Sequence, residues 1–125
     1  MELICGNVIH GQEYGRKIGY RTANLIQEEL EIQFGVWATR VLYLDDWYDA
    51  ISYFSINSKG EKIFESHLFN FEKNIYGECI KVNLVKFLRE SIHFDSQELL
   101  IDQMKKDCLL TLEILKVHSC GFKSV

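Results

Sequence analysis

The strongest structural signal in this 125-residue chain is residues 34–44, which read FGVWATRVLYL. Successive side chains of a β-strand point to opposite faces, so residues 36, 38, 40 and 42 would share one face and residues 37, 39, 41 and 43 the other. Both faces carry mainly apolar or aromatic side chains. This composition is typical of a strand that is buried on both faces of a sheet.

Four more segments around this strand have strand-like composition: residues 2–9, 48–56, 62–70 and 78–87. Turn residues separate them, at Asp45-Asp46 and at residues 57–60, and residues 72–77 connect the last two. Consecutive strands joined by short turns predict an antiparallel barrel or sandwich.

One amphipathic helix is predicted after the strands, beginning near Ser96. Asp95 is placed to cap it, and Glu98 follows three residues later, as in a capping box. Its apolar face would consist of Ile101, Met104, Cys108, Leu112 and Leu115. Its solvated side would carry Glu98, Asp102, Lys105 and Lys106. We expect the helix to cover the open side of the barrel; a free, partner-binding helix is the alternative.

Composition excludes several classes of protein. The net charge is −4, from 14 basic and 18 acidic residues, and no basic stripe is present, which argues against nucleic-acid binding. No apolar run approaches the roughly 20 residues of a membrane helix, and the N-terminus lacks a secretory signal. The four cysteines form no C-x-x-C pair, as is usual for reduced thiols. We therefore expect a cytoplasmic, monomeric protein with one domain, residues 1–125, and no membrane partner.

Glycines are concentrated at residues 6, 11, 15 and 19, and Arg16 and Lys17 lie between them. Glycines allow backbone N–H groups to approach an anion, and the two cations favour phosphate. The spacing matches neither a Walker A loop nor a dinucleotide fingerprint. A flexible hairpin loop is the alternative to phosphate binding.

Three other polar residues are candidates for chemistry. Thr22 and Asn24 would point the same way on an extended segment, and their side-chain oxygens suit Mg²⁺ beside phosphate. The alternative is a turn in which Asn24 bonds nearby backbone. Glu65 lies in a strand of bulky apolar residues, where a carboxylate either faces solvent or is buried for a function. The alternation does not distinguish the two.

Several motifs occur in order along almost the whole chain: the glycine-rich residues 6–25, then Gly35-Val36, Glu65-Ser-His67-Leu-Phe69, Ile75-Tyr76-Gly77, and residues 87–107 beginning Phe-Leu-Arg-Glu. In this order they resemble the riboflavin kinase family. The resemblance implies a mainly β fold, a six-stranded antiparallel Greek-key barrel at about residues 1–94, with a C-terminal α-helix at about residues 96–117.

The resemblance also implies a reaction, transfer of the γ-phosphoryl group of ATP to the riboflavin 5′-hydroxyl, giving FMN. The phosphates would be covered by the loop containing Gly11, Gly15, Arg16, Lys17 and Gly19. Thr22 and Asn24 would bind Mg²⁺, Glu65 would accept the hydroxyl proton, and Arg89 would lie near the flavin. Many bacterial relatives carry an FMN adenylyltransferase domain before this module. Because the chain starts almost at the barrel, we expect no such domain and no FAD synthesis.

Two departures from the family pattern leave alternatives open. Arg21 stands where the family has proline, and residues 53–64 are shorter than the family segment and lack its Pro-Thr-Phe sequence, with Asn57 as a remnant. One alternative is a relative that binds flavin or nucleotide without turnover, or acts as an interaction module. Another is an unrelated barrel with a binding function. The joint presence of Thr22, Asn24 and Glu65 favours the kinase.

Overall fold

The computed structural model describes residues 3–9 and 20–118. These residues form six strands and one helix: β1 Leu3–Asn7, β2 Ala23–Ile26, β3 Gly35–Tyr43, β4 Asp46–Ile56, β5 Lys62–Leu68, β6 Cys79–Arg89 and α1 Gln97–Val117. The five strands expected from composition are confirmed, with ends shifted by at most two residues. The structure also contains the short strand β2, which is not among the five segments expected from composition.

The strands form one antiparallel sheet in the order β1-β6-β3-β4-β5-β2, rolled into a nearly closed barrel. Strands β3, β4 and β5 are consecutive, and β6 returns to lie beside β3, which is the Greek-key arrangement. The seam between β1 and β2 is joined where Ile9 N donates to Asn24 O at 2.8 Å and where Gln27 Nε2 donates to Cys5 O at 2.8 Å. The fold class expected from the resemblance is confirmed.

The barrel interior is a continuous apolar core whose fully buried members include Leu25, Val41, Phe54, Phe64, Ile80 and Val82. A row of buried hydroxyls crosses it: Thr39 Oγ1 lies 2.8 Å from Ser52 Oγ, which lies 2.7 Å from Ser66 Oγ. These bonds satisfy polar groups that would otherwise be costly to bury. Strand β3 is buried along nearly its whole length, as predicted; only Trp37 and Leu42 are half-buried.

The helix α1 packs against β3, β4 and β6, so its predicted role as a cover of the barrel is confirmed. Its N-cap is Ser96 rather than the predicted Asp95, because the Ser96 hydroxyl accepts a hydrogen bond from Leu99 N at 3.2 Å. Arg40 secures the other end of the helix, where its Nη2 donates to Leu115 O at 2.6 Å. No helix in the described part of the chain is both long and apolar enough to cross a membrane.

The predicted face of α1 is partly wrong. The buried residues are Asp107, Thr111 and Leu115, whereas the predicted Leu112 is 42% exposed. A periodicity argument places polar residues outside, but Asp107 has an arginine partner in the barrel and Thr111 Oγ1 donates to Asp107 O at 2.7 Å. Partners supplied by the fold thus turn a polar position inward.

The two predicted hairpin turns differ in outcome. The turn between β3 and β4 consists of Leu44 and Asp45, so Asp46 is already the first residue of β4. The turn at residues 57–60 is confirmed. The Asn57 side-chain oxygen accepts from Lys59 N and Glu61 N, both at 2.9 Å, which explains why asparagine stands there.

Candidate functional site

A groove of about 860 Å³ runs between the barrel and α1. Its floor is the outer face of β4 and β5, including Tyr53, Ile63 and Glu65, and its opposite wall includes Leu100 and Met104 of the helix. This volume lies within the range of pockets that hold a small organic molecule or cofactor. The lining is mainly apolar, with a polar group at one end.

The polar end is built by the pairing of β2 with β5. Asn24 lies directly opposite Glu65 in this antiparallel ladder, and Tyr53 of β4 lies on the other side of Glu65. Directly opposed residues in an antiparallel pair project from the same face, about 5 Å apart. The sheet therefore brings two predicted site residues together across 41 positions of sequence, the difference between 65 and 24.

Thr22 joins Asn24 and Glu65 into one network. Asn24 Nδ2 donates to the Thr22 hydroxyl and to the Thr22 carbonyl oxygen, both at 3.2 Å. The Thr22 hydroxyl in turn donates to the Glu65 carboxylate. Asn24 thus bonds the backbone of a neighbouring residue, but from the extended strand β2 and not from the turn that the sequence left open as the alternative. The side chains of Thr22 and Asn24 converge, as expected for an extended segment. Since Asn24 uses its amide nitrogen in these bonds, its oxygen Oδ1 is the atom suited to a cation.

Glu65 lines the groove and is half-buried, so it lies between the two alternatives of a solvent-facing and a buried carboxylate. Burial raises the pKa of Glu65 above its ordinary value, and the hydrogen bond from Thr22 opposes part of that rise. A carboxylate with a raised pKa is a better proton acceptor than one in water.

A second, smaller cleft of about 50 Å³ lies on the other side of Thr22 and Asn24. Arg21 and Lys73 line it, so two cations lie next to the polar end of the groove. Arg21 Nη1 also reaches Glu72 O at 3.4 Å. Arg21 therefore contributes positive charge at this cleft.

Arg89, predicted to lie near a flavin, lines the groove at the end of β6. Its Nε lies 3.0 and 3.1 Å from the two Asp107 carboxylate oxygens, and its Nη2 lies 2.6 Å from Oδ2. Gln103 Nε2 donates to the same carboxylate at 3.0 Å. This end of β6 packs closely on Gly35, where a Cβ would stand 2.3 Å from Arg89 O, so no larger residue fits there.

Asp107 is a site residue that the sequence analysis did not assign. Its carboxylate is 6% exposed and anchors both Arg89 and Gln103 at the groove wall. The available signal was the Gln103-x-x-x-Asp107 spacing, which places both on one helix face. Nothing in the spacing indicates that this face turns toward an arginine of β6.

Cys108 follows Asp107 and also lines the groove. Burial and the neighbouring Asp107 carboxylate raise the pKa of the Cys108 thiol to about 11. At neutral pH the thiol is therefore protonated, and covalent catalysis by this cysteine is disfavoured.

The predicted phosphate-binding residues Gly11, Gly15, Arg16, Lys17 and Gly19 lie outside the described residues. The residues that flank this segment, Ile9 and Tyr20, both line the large groove. The predicted remnant Asn57 also lines it, in the turn between β4 and β5. The shortened hairpin thus still forms one rim of the groove.

Comparisons with known proteins identify the relatives of this fold. A family model described as Flavokinase, riboflavin kinase, matches residues 3–115. The bifunctional riboflavin kinase/FMN adenylyltransferase of Buchnera aphidicola subsp. Schizaphis graminum is 38% identical over 124 residues, covering 92% of this chain and 38% of that protein.

Solved structures include similar chains, of which two are described. A Streptococcus pneumoniae protein described as a macrolide-efflux protein is 34% identical, with a TM-score of 0.79, over 87% of this chain and 38% of that one. Riboflavin kinase from Trypanosoma brucei has the same fold, with a TM-score of 0.63 at 20% identity over 91% of this chain and 79% of that one. The chain spans between 38% and 48% of the length of the first three curated relatives that it matches.

Proposed function

This chain belongs to the riboflavin kinase family, and we propose that it transfers the γ-phosphoryl group of ATP to the 5′-hydroxyl of riboflavin, giving FMN and ADP. The observation that carries the proposal is the cross-strand pairing of Asn24 with Glu65, bridged by the Thr22 hydroxyl. It supports the proposal because a carboxylate lies beside two hard oxygen atoms, at one end of a groove of a size that suits a flavin.

Glu65 is the general base in this proposal. Its carboxylate accepts the proton of the riboflavin 5′-hydroxyl while that oxygen forms a bond to the γ-phosphorus and ADP leaves. Because burial raises its pKa, proton acceptance is more favourable than for a free glutamate. The remaining acceleration comes from holding the hydroxyl and the γ-phosphate in line.

The residues at the polar end fit a divalent cation. The Thr22 hydroxyl and the Asn24 carboxamide oxygen are hard oxygen donors, which suit Mg²⁺ completed by phosphate oxygens and water. The described residues contain no cluster of three His, Cys, Asp or Glu side chains that could hold a metal without substrate. When bound with ATP, Mg²⁺ would neutralise charge on the transferred phosphoryl group.

The phosphates and the flavin would occupy opposite sides of Glu65. Arg21 and Lys73 at the small cleft supply positive charge for the nucleotide, together with the predicted loop residues Gly11, Gly15, Arg16, Lys17 and Gly19. The apolar groove, with Arg89 in its wall, would take the isoalloxazine ring. We further propose that the chain acts as a cytoplasmic monomer, without a nucleic-acid or membrane partner.

The test is an end-point assay with purified protein, riboflavin and Mg-ATP, with FMN resolved by chromatography. FMN formation that depends on ATP and on a divalent cation supports the kinase and shows that the shortened β4–β5 hairpin is compatible with turnover. Quenching of riboflavin fluorescence without FMN would instead support a flavin-binding relative that has lost catalysis. If the folded protein neither quenches riboflavin fluorescence nor forms FMN, both the kinase and the flavin-binding alternative are overturned.

A further inference from the structure

His67 is a groove residue that the proposed chemistry does not use. It lies on β5 two positions after Glu65, so the two side chains share a face, and both line the groove. Its ring packs edge-to-face with Tyr20 at 5.3 Å between centroids and with Phe69 at 5.5 Å. Aromatic neighbours on two sides hold the imidazole in one orientation.

The held ring makes a short hydrogen bond to backbone. His67 Nδ1 lies 2.7 Å from the carbonyl oxygen of Arg21. A carbonyl oxygen can only accept, so Nδ1 carries the proton and donates. This bond joins a strand that carries the predicted base to the segment that carries the predicted cation ligands.

The hydrogen bond from His67 acts on the peptide unit that joins Arg21 to Thr22. The Arg21 carbonyl and the Thr22 nitrogen belong to one planar peptide unit, so a bond to that oxygen orients the unit from which Thr22 projects. Ladder pairing of β2 with β5 begins only at Ala23, one residue later. Arg21 also lacks the fixed φ of proline. The His67 bond is therefore an external constraint on backbone that neither the sheet nor the residue type fixes.

We propose that His67 is a positioning residue that holds the Arg21–Thr22 peptide and thereby aims Thr22 and Asn24 at the Mg-nucleotide. The identity of the ligand rests on the proposed function. The mechanical part of the inference, that His67 restrains the backbone of residues 20–24, is independent of the proposed function.

The mechanical part is tested by amide hydrogen exchange. His67→Leu removes the donor, whereas His67→Asn places an amide nitrogen close to the position of Nδ1 and retains it. Exchange of the amides of residues 20–24 should be faster in His67→Leu than in the wild type, and close to wild type in His67→Asn. Equal exchange in all three proteins would overturn the inference, whatever the protein catalyses.

The functional part is tested by calorimetric titration with Mg-ADP and with riboflavin. His67→Leu should weaken Mg-ADP binding roughly 10- to 100-fold, the usual range for loss of a group that orients a metal ligand. His67→Asn should restore most of that affinity, and in His67→Leu the fold-change for Mg-ADP should exceed that for riboflavin, whose proposed groove His67 also lines. Weakening of riboflavin binding alone, or of neither ligand, would overturn the positioning role.

Two comparisons keep the outcome unambiguous. His93→Leu is the matched control, because His93 is 88% exposed and should leave exchange and binding at wild-type values. If His67→Leu does not fold, His67→Gln replaces it, since its amide lies one bond too far along the side chain to reproduce Nδ1. If the wild type makes no FMN, the proposed kinase activity is overturned. The His67 inference is overturned separately, if amide exchange and Mg-ADP affinity in His67→Leu or His67→Gln equal those in His67→Asn.

Discussion

Glu65 and Asp107 are two carboxylates of the same groove, held in opposite ways. Asp107 receives three contacts from the Arg89 guanidinium within 3.1 Å and a fourth from Gln103. Glu65 receives a hydroxyl hydrogen bond from Thr22, and among residues 3–9 and 20–118 no arginine or lysine forms an ion pair with it. Asp107 has its bonding capacity used by the fold, whereas Glu65 retains capacity for a substrate proton.

We interpret this difference as that between a structural carboxylate, Asp107, and the proposed base, Glu65. A carboxylate whose oxygens are already occupied by a bidentate arginine takes part in packing and has little bonding capacity left for a ligand. An acceptor that is partly desolvated and weakly satisfied has a raised pKa and can exchange a proton with a ligand. The groove therefore has a wall that is fixed by charge pairing and an end whose carboxylate is free of such a pairing among the described residues.

Substitution of the reactive carboxylate should have the largest effect. Glu65→Gln keeps the size and the hydrogen bond from Thr22 but cannot accept a proton, so kcat should fall roughly 10²- to 10⁴-fold, with riboflavin affinity retained. In the wild type, kcat should fall as the pH is lowered through the raised pKa of Glu65, because the carboxyl becomes protonated. Steady-state kinetics between pH 5 and 9 measure both.

The control for this substitution is Glu61→Gln, at the rim of the same groove in the turn between β4 and β5. It should leave kcat within about threefold of the wild type, since no transition-state role is lost. Undiminished turnover in Glu65→Gln would remove this residue as the base and cancel the contrast with Asp107.

Substitution of the structural carboxylate should instead act on folding. Asp107→Asn leaves the Arg89 guanidinium, 19% exposed, without its counter-ion, and breaking such a buried pair costs about 3–5 kcal/mol. Urea denaturation measures the loss. Asp102→Asn, on the exposed side of the same helix, should change the free energy of unfolding by less than about 0.5 kcal/mol. A similar small change in Asp107→Asn would show that the pair does not anchor α1.

The cation ligand beside Glu65 should give an intermediate effect. Asn24→Ala removes the carboxamide oxygen and the donor to Thr22, so the Mg²⁺ concentration that supports half-maximal turnover should rise roughly 10-fold or more. Ser55→Ala, in the β4 floor of the groove, is the control and should leave it unchanged. An unaltered Mg²⁺ dependence in Asn24→Ala would show that Asn24 does not bind the cation, and would leave Glu65 as the proposed functional residue of this strand pair.

The elements of this fold were predictable where the cause is local. The apolar composition of both faces of residues 34–44 predicted the central strand, and the turn chemistry of Asn57 predicted a hairpin. Strand β2 was missed because it has only four residues and owes its conformation to pairing with β5. The cap at Ser96 rather than Asp95 is a one-residue choice that propensity does not resolve.

The candidate site followed the same rule. The sequence identified three candidate residues by their chemical type, Glu65, Thr22 and Asn24, and the resemblance implied their roles. Only the register of β2 against β5, which the structure shows, places Asn24 opposite Glu65. The burial of Asp107 depends on Arg89, 18 positions earlier in the chain, so helix periodicity alone assigned the buried face only in part. The roles of Gly11, Gly15, Arg16, Lys17 and Gly19 remain predictions, since these residues lie outside the described ranges.

The smallest predicted effect is on stability, because the ionised and partly buried Glu65 carboxylate should lower the free energy of unfolding. Burial raises the pKa of Glu65 in the folded protein, so the folded state binds this proton more tightly than the unfolded chain does. The resulting stabilisation is present at low pH and is lost as the pH rises through the folded-state pKa. Glu65→Gln stays neutral at every pH, so it should be more stable than the wild type at pH 8 and nearly equal to it at pH 4.

Urea denaturation of both proteins from pH 4 to pH 8 gives the difference in unfolding free energy directly. The gain should appear only as the wild-type carboxyl ionises, while Glu113→Gln, on an exposed position of α1, should show no such dependence. A gain that is constant with pH would reflect packing rather than charge. A variant that is less stable than the wild type at pH 8 would mean that the ionised Glu65 is satisfied in the fold, much as Asp107 is, and that the two carboxylates differ less than their surroundings indicate.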